Sequence, residues 1–184
     1  MSDVDLLWAP WRSGYIAKVQ KGRKAQCLFC FKGSSKNPER DHIVAQSRFG
    51  FICLNRFPYN TGHLLVAPYR HVADLSDLAP EESLDLLQLV EAGMERIHAV
   101  MQPEGFNIGI NLGRIAGGSI PDHLHWHVVP RWRGDTNVMQ VIGQTKVISK
   151  SLDAACRLLR KVKLKGVANR KTGKPENRQR DEDP

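Results

Sequence analysis

Short apolar runs and turn-forming residues alternate along the first half of the chain. Apolar residues dominate 43–45, 49–54 and 63–67, and polar or turn-forming residues separate these three runs. Short apolar runs bounded in this way are typical of buried β-strands. Residues 106–112 alternate apolar side chains with Asn and Gly, which predicts a fourth strand with the apolar residues on one face and Asn107, Gly109 and Asn111 on the other.

A further strand is predicted over 119–130, where a histidine stands at every second position: His123, His125 and His127. A strand sends alternate side chains to one face, so the three imidazoles should point the same way and the apolar residues between them into the core. Pro130 should end the strand, because proline cannot donate to a sheet ladder. Antiparallel pairing with 106–112 would bring Asn111 to the side of the histidines. Gly118, just upstream, indicates a backbone that approaches a ligand closely.

Two amphipathic helices complete the pattern. The first is predicted over 80–101, with an apolar residue at every third or fourth position: Leu84, Leu87, Val90, Met94, Ile97 and Met101. The second is predicted over 150–162, with one stripe formed by Leu152, Ala155, Cys156 and Leu159. An antiparallel sheet with one long and one C-terminal helix is an α+β fold.

The length of 184 residues suits a single domain, which we place at 1–162. Its first part, 1–26, shows few regular signals and is predicted to be an N-terminal arm with large aromatic residues. Residues 163–184 are charged and almost free of large apolar side chains. Such a segment cannot offset its ordering entropy by burial, so we expect a flexible basic tail.

The chain is basic, with 27 Lys and Arg against 19 Asp and Glu and a net charge of +8. This excess favours anionic partners such as nucleotides, nucleic acid or acidic surfaces, although a solvated basic face explains it equally well. The acidic start of the chain is followed by no apolar run, so no secretory signal is predicted. No segment approaches the ~18 apolar residues that span a bilayer, so no membrane partner is expected. Four cysteines without an export signal predict reduced thiols and a cytoplasmic location.

Cys27 and Cys30 form a Cys-x-x-Cys motif, which is typical of one half of a zinc site or of a redox pair. Redox pairs usually follow a strand and open a helix. This motif follows a basic loop and precedes a polar one, which favours zinc. Two further ligands are needed, and the candidates are His42, His71 and His123.

The histidine face has three possible roles. A neutral imidazole is a nucleophile at pH 7, since its ordinary pKa is about 6.5, and its attack on phosphorus would give a covalent phosphoramidate. Three histidines can also hold a catalytic metal, although only Asp122 lies near as a carboxylate base. The third possibility is a set of structural histidines.

The segment His123–Val129 resembles the signature of the histidine triad nucleotide-binding proteins, in which three histidines alternate with apolar residues and two apolar residues follow. The resemblance extends upstream to Asn55, followed after six residues by Gly62–Pro68, and to Phe106–Leu112. It covers about 27–145. The resemblance implies a histidine-triad-like antiparallel α+β fold, an adenine nucleotide or dinucleoside polyphosphate as partner, and no organic cofactor.

The resemblance also implies roles for individual residues. His125 would attack the α-phosphate, and His127 and His63 would orient it. The nucleotide and its phosphates would contact Asn55, Asn111, Gly118 and Ser119. Some family members carry a structural zinc, and the matching positions here are Cys27, Cys30, His71 and His123. His42 stays open as a substitute for His71.

The lead-in to the triad departs from that of many hydrolytic members. Gly118–Pro121 lacks their glutamine and is similar to the nucleotidyltransferase relatives, which include diadenosine tetraphosphate phosphorylases. Trp8–Arg12 and Pro130–Asn137 resemble bacterial members of that group. We therefore expect phosphorolysis of diadenosine tetraphosphate with inorganic phosphate as acceptor. The alternatives are a hydrolase of diadenosine polyphosphates or nucleoside phosphoramidates, and a regulator that binds AMP with little turnover. A homodimer or higher homo-oligomer is expected, and nucleic acid is not an expected partner.

Overall fold

The computed structural model describes residues 27–117, 120–135 and 149–164. The predicted arm over 1–26 and the part of the predicted tail beyond 164 lie outside the described residues and stay predictions. Within the described residues, no helix is long and apolar enough to cross a membrane.

Five antiparallel strands form one sheet, which confirms the α+β prediction. The strands are β1 (Ile43–Gln46), β2 (Gly50–Leu54), β3 (Leu64–Pro68), β4 (Gly105–Ile110) and β5 (Trp126–Arg131). Their order across the sheet is β1-β2-β3-β5-β4, so the last strand lies between β3 and β4. β5 therefore has a hydrogen-bonded neighbour on each side, with β3 on one side and β4 on the other.

The histidine strand differs from its prediction at both ends. It begins at Trp126, so His123 and His125 lie in the extended lead-in, where Leu124 N–H donates to the carbonyl of Val72 (2.6 Å). It also continues through Pro130 to Arg131. The carbonyl of Pro130 accepts from Asn60 on the β3 side. The nitrogen and carbonyl of one residue point to the same side of a strand, so the nitrogen of Pro130 also faces the β3 side. β3 begins only at Leu64, which pairs with Val128, so the missing N–H of Pro130 removes no hydrogen bond between the strands.

Within the described residues, three α-helices accompany the sheet: α1 (Leu28–Gly33), α2 (Pro80–Met101) and α3 (Leu152–Lys161). The predicted bounds of α2 and the buried stripe of α3 are confirmed. The predicted stripe of α2 is wrong in its first two turns, because Leu84 and Leu87 are exposed and Leu86 and Leu89 are buried. Gly50 of β2 leaves the space that Leu86 and Leu89 fill, which turns this side of the helix towards the sheet.

The sheet has a different apolar cluster on each face. One face packs against α2 and α3. The other carries a smaller cluster of fully or nearly fully buried residues: Phe29, Ile43, Phe51, Cys53, Leu65 and Ala67. Phe29 comes from α1, a helix that the sequence pattern did not predict. α1 begins directly after Cys27, so the expectation that the Cys-x-x-Cys motif does not open a helix is wrong.

Candidate active site and cysteine–histidine cluster

The ring of His125 is oriented by a hydrogen bond to a main-chain carbonyl two residues before it. Its Nδ1 lies 2.8 Å from the carbonyl oxygen of His123, and a carbonyl only accepts, so Nδ1 carries the hydrogen. The lone pair of the neutral ring is therefore on Nε2. The side chain is 4% exposed, and burial lowers the pKa of His125 below its ordinary value. The ring is thus uncharged at neutral pH and has one nucleophilic nitrogen.

A second pair of histidines lies beside it, on the same face of the sheet. The N–H of Tyr59 donates to Nδ1 of His63 (3.0 Å), so the hydrogen of this ring is on Nε2. That Nε2–H donates to Nδ1 of His127 (3.0 Å). In its neutral form His127 then carries its hydrogen on Nε2. The centroid of the His127 ring lies 5.1 Å from that of His125. The two linked hydrogen bonds, from Tyr59 to His63 and from His63 to His127, therefore lead towards the ring of His125.

The amide side chains predicted for the nucleotide surround this pair. Asn55 Nδ2 lies 3.3 Å from Nδ1 of His63. Asn111 directly follows β4, whose Gly109 pairs with His127, and the period of two places Asn111 on the histidine face. Gly118 and Ser119 lie outside the described residues, and their phosphate contacts stay predictions.

The predicted zinc ligands converge at one point. The ligand atoms of Cys27, Cys30, His71 and His123 all lie within 4.8 Å of one another. Nδ1 of His123 is 3.3 Å from Sγ of Cys27, 3.7 Å from Sγ of Cys30 and 3.2 Å from Nδ1 of His71. Sγ of Cys30 is 3.4 Å from Nδ1 of His71. A tetrahedral zinc separates nitrogen and sulfur ligands by about 3.3 to 3.8 Å, so these separations fit.

His123 presents the correct nitrogen to this cluster. Its Nε2–H donates to the carbonyl of Pro68 (3.0 Å), which leaves the lone pair on Nδ1 towards the sulfur atoms. Burial lowers the pKa of His123 to about 4, so the ring is neutral and able to bind a cation. His42, the alternative ligand, lies elsewhere: its Nε2 is 2.9 Å from a carboxylate oxygen of Asp153 on α3. The structure therefore brings His71, and not His42, to the cluster.

Two aromatic residues of the site were missed by the sequence reasoning. Phe29 is fully buried, and its ring centroid lies 4.7 Å from that of His125 and 5.1 Å from that of His123. Tyr59 stacks on His63 at 4.9 Å. Phe29 stands between Cys27 and Cys30 in the sequence. Its place next to the histidines follows from α1, and the sequence pattern did not predict that helix.

Comparison with known proteins gives the class of this chain. Residues 37–134, more than half of the sequence, match the family model of the HIT domain. The chain therefore belongs to the HIT family, in agreement with the resemblance of its histidine segment.

Individual relatives narrow the comparison. The protein named AP-4-A phosphorylase from Mycobacterium tuberculosis (strain ATCC 25618 / H37Rv) is 41% identical over 165 residues, covering 83% of this chain and 81% of that protein. The asymmetrical bis(5'-nucleosyl)-tetraphosphatase of Schizosaccharomyces pombe is 36% identical over 101 residues, covering 55% of each chain. Among solved structures, a Zn-bound histidine triad family protein from Mycobacterium smegmatis aligns with a TM-score of 0.60 and 28% identity. The alignment covers 73% of this chain and 91% of that one.

Proposed function

We propose that this protein transfers a nucleotidyl group from diadenosine tetraphosphate to inorganic phosphate through a covalent intermediate on His125. The observation that carries the proposal is the hydrogen bond from Nδ1 of His125 to the carbonyl of His123 (2.8 Å), which leaves Nε2 as the nucleophilic atom. The resemblance of the histidine segment and the name of the 41% identical relative support the same chemistry.

The proposed reaction has two steps. Nε2 of His125 attacks the α-phosphorus, a P–N bond forms, the P–O bond to the bridging oxygen breaks, and ATP leaves. An oxygen of inorganic phosphate then attacks the same phosphorus, the P–N bond breaks, ADP leaves, and the proton of the acceptor passes to solvent. His63 holds the tautomer of His127, and the Nε2–H of His127 donates to a non-bridging oxygen. Asn55 binds the ribose, and Asn111, Gly118 and Ser119 bind phosphate oxygens.

Product analysis tests this proposal. The protein is incubated with diadenosine tetraphosphate with and without inorganic phosphate. ADP and ATP that appear only with phosphate support phosphorolysis. AMP and ATP without phosphate support the hydrolase instead, an outcome favoured by the relative named as a tetraphosphatase. Tight AMP binding without any product would support the regulator.

The role of His125 is tested by its replacement. His125→Ala should lower turnover at least about a thousandfold, because the nucleophile is lost, while nucleotide binding changes little. His98→Ala is the matched control, since His98 is exposed on α2 and belongs to no part of the site. In wild type without phosphate, mass spectrometry should detect one adenylyl group bound to the protein. Turnover in His125→Ala equal to that of the control would contradict the assignment.

We also propose that Cys27, Cys30, His71 and His123 hold one structural zinc. Zinc would neutralise the two thiolates and fasten α1 to the lead-in of β5. The convergence of two histidine nitrogens on the two sulfur atoms favours a metal site over the redox alternative. The Zn-bound relative of known structure adds support.

Metal analysis of the purified protein tests the zinc site. Wild type should contain one equivalent of zinc, and Cys27→Ser should lose it together with part of its thermal stability. Cys53→Ser is the control, because the thiol of Cys53 is buried in the smaller apolar cluster and does not belong to the cysteine–histidine cluster. Wild type without bound metal would refute the site.

We further propose a homodimer in a reducing, cytoplasmic compartment. Among the described strands β4 lies at one edge of the sheet, with an exposed side chain at Ile108 (46% exposed), and such an edge can pair with a second strand. The four cysteines are free thiols. Sedimentation velocity at micromolar concentration measures the oligomeric state directly, and a monomer would refute the dimer.

A further inference from the structure

Phe29 connects the cysteine pair with the nucleophilic histidine. It stands between Cys27 and Cys30 in the sequence, and α1 turns its side chain into the interior, where it is fully buried. Its ring lies 4.7 Å from the ring of His125, tilted by 36°, and 5.1 Å from the ring of His123. The side chain therefore packs against the proposed nucleophile and against one proposed zinc ligand.

The hydrogen bond of His125 alone does not fix its ring. A bond from Nδ1 to the carbonyl of His123 fixes one ring atom and leaves rotation about the donor–acceptor direction. An aromatic ring packed at 4.7 Å restricts that rotation, because a change of the imidazole plane would collide with it. The rest of the apolar cluster surrounds Phe29, and the ring centroid of Phe51 lies 6.5 Å away, against 4.7 Å for that of His125.

We propose that Phe29 is a positioning residue, which holds the ring of His125 so that Nε2 points at the α-phosphorus. α1 thereby contributes to nucleotidyl transfer as well as to the cysteine–histidine cluster. This inference rests on the proposed function, in which His125 is the nucleophile. A displaced nucleophile lowers the rate of attack much more than the affinity for substrate, because the contacts of the nucleotide lie elsewhere.

The first test compares two identical substitutions in one cluster. Phe29→Leu should lower kcat about tenfold to a hundredfold and change KM less than about threefold. Phe51→Leu removes an equally buried ring of the same cluster, which packs on Tyr69 at a centroid distance of 5.6 Å, and it should leave kcat within about threefold of wild type. Both variants should lose similar thermal stability. Phe29→Met is the milder second variant if Phe29→Leu does not fold. Equal losses of kcat in Phe29→Leu and Phe51→Leu, or no loss in Phe29→Leu, would overturn the proposal.

The second test needs no turnover. Carbon-13 relaxation of the His125 ring measures how far the ring reorients on the picosecond to nanosecond timescale. Wild type and Phe51→Leu should show a rigid ring, and Phe29→Leu should show a clearly lower order parameter. An equally rigid ring in Phe29→Leu would overturn the role of Phe29. Absence of turnover in wild type would instead refute the proposed function, and the relaxation measurement would still decide this inference.

Discussion

Asp135 offers a quantitative test of how the site is held together. Its carboxylate accepts hydrogen bonds from the guanidinium of Arg131, from the amide of Asn60 (2.9 Å) and from the N–H of Trp132 (3.4 Å). Asn60 belongs to the turn that leads into His63, so Asp135 connects the end of β5 to that turn. The side chain is only 9% exposed. We predict that Asp135→Asn destabilises the protein by an amount that depends on pH.

The magnitude follows from proton affinity. The hydrogen bond from Arg131, and after it those from Trp132 and Asn60, lower the pKa of Asp135 from 3.8 to about 2. At about 1.4 kcal/mol for each tenfold change in affinity, this is between about 2 and 3 kcal/mol of stability before solvent screening. Arg131 is 47% exposed, and solvent screening reduces the expected value to between about 1 and 2 kcal/mol. Because the folded-state pKa is lowered, this stability is present above pH 4 to 5 and is lost as pH falls through about 2.

Urea unfolding of wild type and Asp135→Asn measures this difference. The difference in the free energy of unfolding should have its full value at pH 7, fall to about half of that value near pH 3, and vanish at still lower pH. The reason is that the neutral amide of Asn imitates the protonated carboxyl group of Asp135. Asp122→Asn is the control: Asp122 pairs with Arg114, but both are largely exposed, so the change should cost less than about 0.5 kcal/mol. A wild-type advantage that is the same at pH 7 and pH 3 would refute the electrostatic argument.

Two further predictions concern buried contacts of α2. Gly50→Ala should lower the free energy of unfolding by about 1 to 3 kcal/mol, because the new Cβ would lie 2.5 Å from Cδ2 of Leu86 and 2.7 Å from the carbonyl of Ala67. Urea denaturation measures the loss, and wild-type stability would contradict it. Arg96→Met should also cost about 1 to 3 kcal/mol, because buried Arg96 donates to two carbonyls at the end of α3. Exposed Arg157→Met, compared by thermal unfolding, should cost little, and equal losses in both variants would argue against the capping role.

Much of the sheet is predictable because its signals are local. Strand period, turn residues and the Pro80 start of α2 all act over a few neighbouring positions, and the structure follows them. The histidine spacing also predicts which side chains share a face, since Leu124, Trp126 and Val128 lie in the opposite apolar cluster. The Cys-x-x-Cys motif left three histidines as candidate ligands, and the family resemblance selected His123 among them, because no local pattern joins Cys27 to a residue 96 positions away.

The features that were missed depend on partners distant in sequence. The side of α2 that faces the sheet is chosen by the gap at Gly50, and a helical wheel of α2 does not contain that information. α1 is six residues long and is stabilised by the burial of Phe29 under the sheet, so its own residues predict it weakly. Pro130 can continue β5 because β3 has not yet begun beside its nitrogen, which depends on the register of two strands.

His123 and His125 show how one strand lead-in can serve two kinds of chemistry. They lie two positions apart and face the same side, yet they carry their hydrogens on different nitrogens. The carbonyl of Pro68 accepts from Nε2 of His123, which leaves Nδ1 towards the cysteines. The carbonyl of His123 accepts from Nδ1 of His125, which leaves Nε2 for the proposed attack on phosphorus. Because His123 supplies both a proposed zinc ligand and the carbonyl that orients His125, a displacement of His123 would also displace the proposed nucleophile. The cysteine–histidine cluster is therefore connected to the proposed active site through His123 and is not an independent feature of the fold.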